Sequence, residues 1–117
     1  MTPDDVRALA LAFPETAEQP HFERTSFRVA GKIFATMPPD GESANILLAE
    51  EDARAAADAD EVELLWWGRR LSGVRVALVA VDRAELAELL EDGWHRRAPR
   101  SVAAARAATR AAPDADG

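Results

Sequence analysis

Two stretches of this 117-residue chain combine side chains that grip anions with side chains that stack. The first is Pro20-His21-Phe22-Glu23-Arg24-Thr25-Ser26-Phe27-Arg28-Val29-Ala30-Gly31-Lys32-Ile33-Phe34-Ala35-Thr36, in which Arg24, Arg28 and Lys32 are interleaved with phenylalanines. Guanidinium forks take phosphate or carboxylate bidentately, and aromatic rings offer a face to a base. The competing structural account makes Phe27 and Phe34 a cross-strand core pair and leaves the bases as edge charges. The second stretch is Trp66-Trp67-Gly68-Arg69-Arg70. Neighbouring strand residues face opposite ways, so both indoles cannot enter one core. Trp67 is expected to be partly exposed beside two guanidinium groups, a combination enriched at binding hot spots. Alternatively it caps the end of a sheet with Arg69 stacked upon it.

Conventional catalytic and cofactor patterns are absent: there is no glycine-rich nucleotide loop, no His-Glu-x-x-His pair and no Gly-x-Ser-x-Gly elbow. The two histidines, His21 and His95, have no metal-ligand spacing around them. Ser26, Ser43, Ser72 and Ser101 lack a neighbouring motif that would activate a hydroxyl. With no cysteine, thiolate chemistry and disulfides are excluded, which fits a cytoplasmic protein. The sequence therefore predicts a binding domain rather than an enzyme, with no cofactor and no metal.

The net charge of −7 disfavours non-specific attraction to nucleic acid or anionic lipid, but the charges come in blocks. Residues 24–37 carry Arg24, Arg28 and Lys32 without an acid, residues 64–81 carry Arg69, Arg70 and Arg75 without an acid, and residues 94–112 carry arginines only. The segments between them are acidic, 40–63 most of all. If the basic blocks meet on one face, the molecule is a dipole rather than a uniform anion. All but one of the 14 basic residues are arginine, through GC-rich coding, through a need for guanidinium, or both.

These residues need a scaffold, and the length allows one domain. Thr2-Pro3-Asp4-Asp5 is a helix start, followed by the stripe Val6, Leu9, Ala10 and Phe13 and ended by Pro14. Residues 14–22 are expected to be a loop. Runs 25–30 and 32–37 form a hairpin about Ala30-Gly31, with Phe27 opposite Phe34 and Val29 opposite Lys32. Residues 44–49 make a third strand, and the alanine-rich acidic segment 50–60 a short, shallowly docked helix. Runs 62–66 and 74–81 pair around a turn spanning residues 67–73. Asp82-x-x-Glu85 opens a helix that buries Leu86, Leu89, Leu90 and Trp94 and is closed by Pro99. The predicted fold is α+β: a five-stranded antiparallel sheet with helices packed on one side, in the order α-β-β-β-α-β-β-α. Residues 1–99 form the domain. Residues 100–117 are an Ala/Arg-rich extension with little to bury, helical or mobile. No run is long enough to cross a bilayer, no basic, apolar leader stands at the N-terminus, and a monomer is expected.

The Pro-His-Phe-x-Arg-x-Ser-Phe-Arg-Val-x-Gly-Lys-Ile-Phe-Ala run, the later Trp-Gly-Arg and a helix carrying Leu-Leu-x-x-x-Trp resemble the MmcQ/YjbR family of small bacterial proteins. The resemblance covers roughly residues 2–99, on His21, Phe22, Arg24, Ser26, Phe27, Arg28, Gly31, Lys32, Phe34, Trp67, Gly68, Arg69 and Trp94. It implies a frataxin-like (CyaY-like), or double-wing, α+β fold and a DNA-binding label that rests on fold analogy.

Two functions follow as expectations. In the first, Arg24, Arg28, Lys32, Arg69, Arg70, Arg96, Arg97 and Arg100 face the phosphates of DNA or RNA, and Trp67 or Phe34 stacks on a base. In the second, Trp67 and Arg69 anchor a protein partner or small ligand. The like-charge pairs Arg96/Arg100 and Arg106/Arg110 either grip phosphate or fold back on the acidic 50–63 segment.

Overall fold

The structure is a computed structural model that describes residues 1–111, with side chains through residue 108. The remainder of the C-terminal extension and the Arg110 side chain lie outside the described residues. In chain order the elements are α1 (Pro3–Leu11), β1 (Thr16–His21), β2 (Arg24–Val29), β3 (Lys32–Met37), β4 (Ser43–Leu47), α2 (Glu50–Ala56), β5 (Val62–Trp67), β6 (Arg70–Ala77), α3 (Arg83–Arg97) and α4 (Arg100–Ala111). The strands form one open antiparallel sheet in the order β1-β2-β3-β4-β6-β5.

The sheet has six strands, not five. The strand that sequence patterning misses is β1, where a loop was expected. It is an edge strand paired only with β2, so it buries no residue fully and shows no apolar alternation. Pro20 is tolerated there because an edge strand leaves one row of N–H groups unpaired in any case. Glu15 and Phe22 bracket it at positive φ, 56° and 59°.

The β2–β3 turn is the two-residue Ala30-Gly31, with φ of 49° and 84°, both positive as a type I′ turn requires. Val29 pairs with Lys32 as expected, but a bulge follows. Phe27 then faces Ala35 rather than Phe34, and both phenylalanines are fully buried. An extra residue in one strand turns consecutive side chains toward the same layer, which alternation alone does not anticipate. The β5–β6 turn is also tighter than expected, just Gly68-Arg69, with Trp67 opposite Arg70. Gly68 has φ +63° at the first turn position, where a II′ turn wants glycine. Consequently β6 starts and ends four residues earlier than its apolar run suggests.

Cross-strand partners share a face, so Phe27, Ala35, Ile46, Val74 and Leu64 form one row toward the helices. Phe13, just beyond α1, meets Phe34 edge-on at 6.5 Å, and α2 and α3 line a common cleft. Thr2 caps α1 through a full capping box with Asp5. Leu86, Leu89, Leu90 and Trp94 are buried as the periodicity of α3 predicts. Gly93 sets its approach: a Cβ there would lie 2.9 Å from Ile46 Cγ2 and 3.3 Å from the carbonyl oxygens of Phe34 and Leu47. Fully buried Trp94 donates from Nε1 to the Pro14 carbonyl at 3.0 Å and stacks on Phe13 at 5.7 Å. That bond removes the cost of burying an unpaired indole N–H.

Residues 100–111 form a docked helix rather than a loose tail. Val102 and Ala103 pack on the core, and the Arg106 guanidinium lies 4.7 Å from the Phe13 ring centroid and 5.6 Å from that of Trp94. Arg106 also reaches Glu91 at 3.6 Å. What α4 lacks in apolar side chains, a cation–π contact supplies. Arg106 therefore neither faces solvent phosphate nor folds back on residues 50–63. No helix among the described residues is long and apolar enough to cross a membrane.

Candidate functional site: a basic end, an acidic cleft and a polar sheet face

The register decides which bases meet. Ala35, Ile46 and Val74 lie in one row, and both Lys32 on β3 and Arg70 on β6 precede it, at one end of the sheet. The turns Ala30-Gly31 and Gly68-Arg69 lie at that end. Gly93 fixes α3 over Phe34 and Ile46, so its last turn, with His95, Arg96 and Arg97, points to the same end. Burial holds the Arg96 guanidinium below its usual range, and the charges of Arg97 and Arg70 add to this while Asp52 opposes it. Arg70 and Arg96 therefore come close enough to repel, although they are distant in the chain. The helix dipole eases that cluster, because cations are favoured at a helix C-terminus by about 0.3–1 kcal/mol.

Trp67 is 82% exposed and stands across from Arg70, while Trp66 is 48% exposed on the opposite face. Arg69, Arg70, Arg96 and Arg97 form no ion pair with a carboxylate among the described residues. The Arg97 Nε is buried without a hydrogen-bond partner among the described residues. The end thus presents Lys32, Trp67, Arg69, Arg70, Arg96 and Arg97, with exposed Arg100 opening α4 just beyond.

Other expected site residues lie elsewhere. Phe34 is fully buried against Phe13, so it cannot stack on a base. Arg24 pairs with His21 at the far end of β2, about 17 Å from Val29 at ~3.3 Å per strand residue. Arg28 lies on the sheet face away from the helices, its Nε donating to Ser26 Oγ at 3.1 Å.

The opposite electrostatic region is a cleft of about 390 Å³ between α2 and α3, lined by Asp52, Asp58, Glu85, Glu88 and Asp92. Burial, then a shared hydrogen bond with Glu61 and its charge, push the Glu85 carboxyl up to about 7. Burial, with the charges of Asp52, Glu88 and Glu91, also raises Asp92. Asp82 caps α3 by accepting from the Glu85 N–H at 2.8 Å. The Glu85 carboxyl turns toward Glu61, so the reciprocal half of a capping box is missing. Among the described residues no group of His, Cys, Asp and Glu is arranged to hold a metal ion.

Sequence reasoning missed the polar face of the sheet. Asn45, within an apolar strand, and Arg75, the one charge among Val74, Val76 and Ala77, meet through Arg75 Nε donating to Asn45 Oδ1 at 3.3 Å. A polar residue interrupting each of two core strands was the available signal.

Residues 11–96 match the family model described as YjbR. No curated protein and no solved structure matches the chain.

Proposed function

The chain belongs to the YjbR family, and from that premise we propose that its basic end binds nucleic acid without catalysing a reaction. Lys32, Arg69, Arg70, Arg96, Arg97 and Arg100 contact phosphates, and Trp67 stacks on a base. One observation carries this reading: Arg70 and Arg96, distant in the chain, come close at the end of the sheet that also bears Lys32, beside an indole that is 82% exposed. The acids that give the chain its negative total are concentrated elsewhere, many of them in the α2–α3 cleft. The sheet with its single helix layer also suits the frataxin-like, double-wing arrangement that the family resemblance implies.

Fluorescence anisotropy with random duplex and single-stranded oligonucleotides across a salt series tests the proposal. Affinity should fall steeply with salt, since each neutralised phosphate releases counterions. Replacing Arg69 and Arg70 together by alanine should weaken binding and flatten the log–log slope by about 1.4–1.8, at about 0.7–0.9 per phosphate contact. An unchanged slope, or no binding at low salt, refutes it. The largely exposed Trp67 indole beside Arg69 favours a second reading, a protein partner anchored on these two residues. In that case capture survives nuclease treatment, depends on Trp67 and responds little to salt.

A further inference from the structure

The register places Gln19, Ser26, Thr36, Asn45, Arg75 and Glu63 in one row across all six strands, on the face opposite Ile46 and Val74. Ser26 is fully buried and Asn45 is 3% exposed, although the described helices pack on the other face. Their cover comes from arginine. Ser26 Oγ donates to the Gln19 carbonyl at 2.8 Å, which leaves its lone pairs to accept from Arg28 Nε. Arg75 Nε is held by Asn45 Oδ1 in the same way. Each guanidinium is thus anchored at Nε by a neutral acceptor, and neither is paired with a carboxylate among the described residues.

Between the two anchors stands Thr36, whose hydroxyl makes no hydrogen bond among the described residues, and the Asn45 amide still has its NH₂ to donate. The anchoring strands β2 and β4 are two spacings apart, about 9.6 Å. We propose that Arg28, Thr36, Asn45 and Arg75 form a binding site for a phosphate monoester group, distinct from the basic end. The guanidinium groups close on it from both sides, and the hydroxyl and amide donate from the floor. Two fixed positive charges match a monoester of −1.5 to −2, whereas a phosphodiester carries only one negative charge. Glu63, across from Arg75 on β5, is the carboxylate of this row; it forms no ion pair with Arg75 and weakens the site.

The test is an NMR titration with methyl phosphate, and in parallel with inorganic phosphate, at ionic strength held constant with chloride. Saturable shifts are expected at the Arg28 and Arg75 Nε–H and the Asn45 side-chain amide, stronger at pH 7.5 than at pH 5.5 as the ligand loses its second proton. Arg75→Gln should weaken binding at least tenfold and Arg75→Lys severalfold, because an ammonium lacks the fork. Glu63→Gln, an exposed change that leaves the buried row intact, should tighten binding two- to fivefold. Arg69→Ala with Arg70→Ala should leave phosphate affinity unchanged, which separates this site from the nucleic-acid proposal. Absence of saturation, loss of binding in the Arg69/Arg70 variant, or no tightening by Glu63→Gln overturns the inference. Displacement of methyl phosphate by an oligothymidylate without terminal phosphates overturns the monoester assignment.

Discussion

The α2–α3 cleft and the basic end are both crowded with like charges, yet they relieve the crowding differently. In the cleft the carboxylates yield: Glu85 and Asp92 hold their protons to higher pH than usual, and Glu85 shares a hydrogen bond with Glu61. At the basic end the groups are guanidinium apart from the Lys32 ammonium, and both kinds stay charged at physiological pH. Crowding there is eased by the Asp52 charge and the helix dipole, and otherwise by solvent or a bound anion. One region therefore changes its charge with pH, and the other keeps its charge and waits for a counter-ion. Helix α3 connects them, acidic along the cleft and basic in its last turn.

The largest way to break this contrast is to break the scaffold that holds the regions apart. A Cβ on Gly73 would meet the Ile46 carbonyl and lie 2.9 Å from Leu47 Cα, backbone that has no room to shift. Gly73→Ala should destabilise the protein by about 3 kcal/mol or more, at the upper end for overpacking, read as a lower urea midpoint or loss of soluble protein. Gly93→Ala is milder. The clash with Ile46 Cγ2, a stiff β-branched group, should outweigh the ~1 kcal/mol of helix propensity gained, leaving a net loss of about 1–2 kcal/mol.

The smallest effect sharpens the comparison itself. The Glu85 carboxyl is raised from 4.5 to about 7 in the folded chain, so the folded state holds this proton more tightly than the unfolded one. Its stabilising contribution is complete below pH 4.5 and is lost as pH rises through 7. Glu85→Gln should therefore flatten the decline in urea midpoint between pH 5 and pH 8 and stabilise the protein at pH 8. An identical decline in the variant would place the titration on another group.

Much of the scaffold was legible in the sequence, because local chemistry and burial agree there. Ala30-Gly31 occupies the two-residue turn, Thr2 and Asp82 cap their helices, and Leu86, Leu89, Leu90 and Trp94 form the inner stripe of α3. Strand β1 was not legible, since an edge strand needs no apolar face and Pro20 argued against it. Phe34 is legible both as core beside Phe27 and as a ring free to stack, because the hairpin mixes apolar and basic residues on both faces; the structure buries both rings, and the bulge changes only which residue stands opposite Phe27. The site was legible only in part. Blocks of charge identify the bases, but register alone separates Arg24 and Arg28 from Lys32 and Arg70. Arg75 reads in the sequence as one base of a charge block and Asn45 as an ordinary strand residue, because their meaning arises from each other, across 30 residues of chain.

Helix α4 lies beyond the span that the family model matches, yet Arg106 roofs the two rings that join the first helix to the third. A cut after Pro99 would strip that roof and leave Phe13 and Trp94 facing water. The packed unit is thus longer than the span that the family model matches, and a shortened chain that misbehaves would be reporting the missing lid rather than a defect in its binding residues.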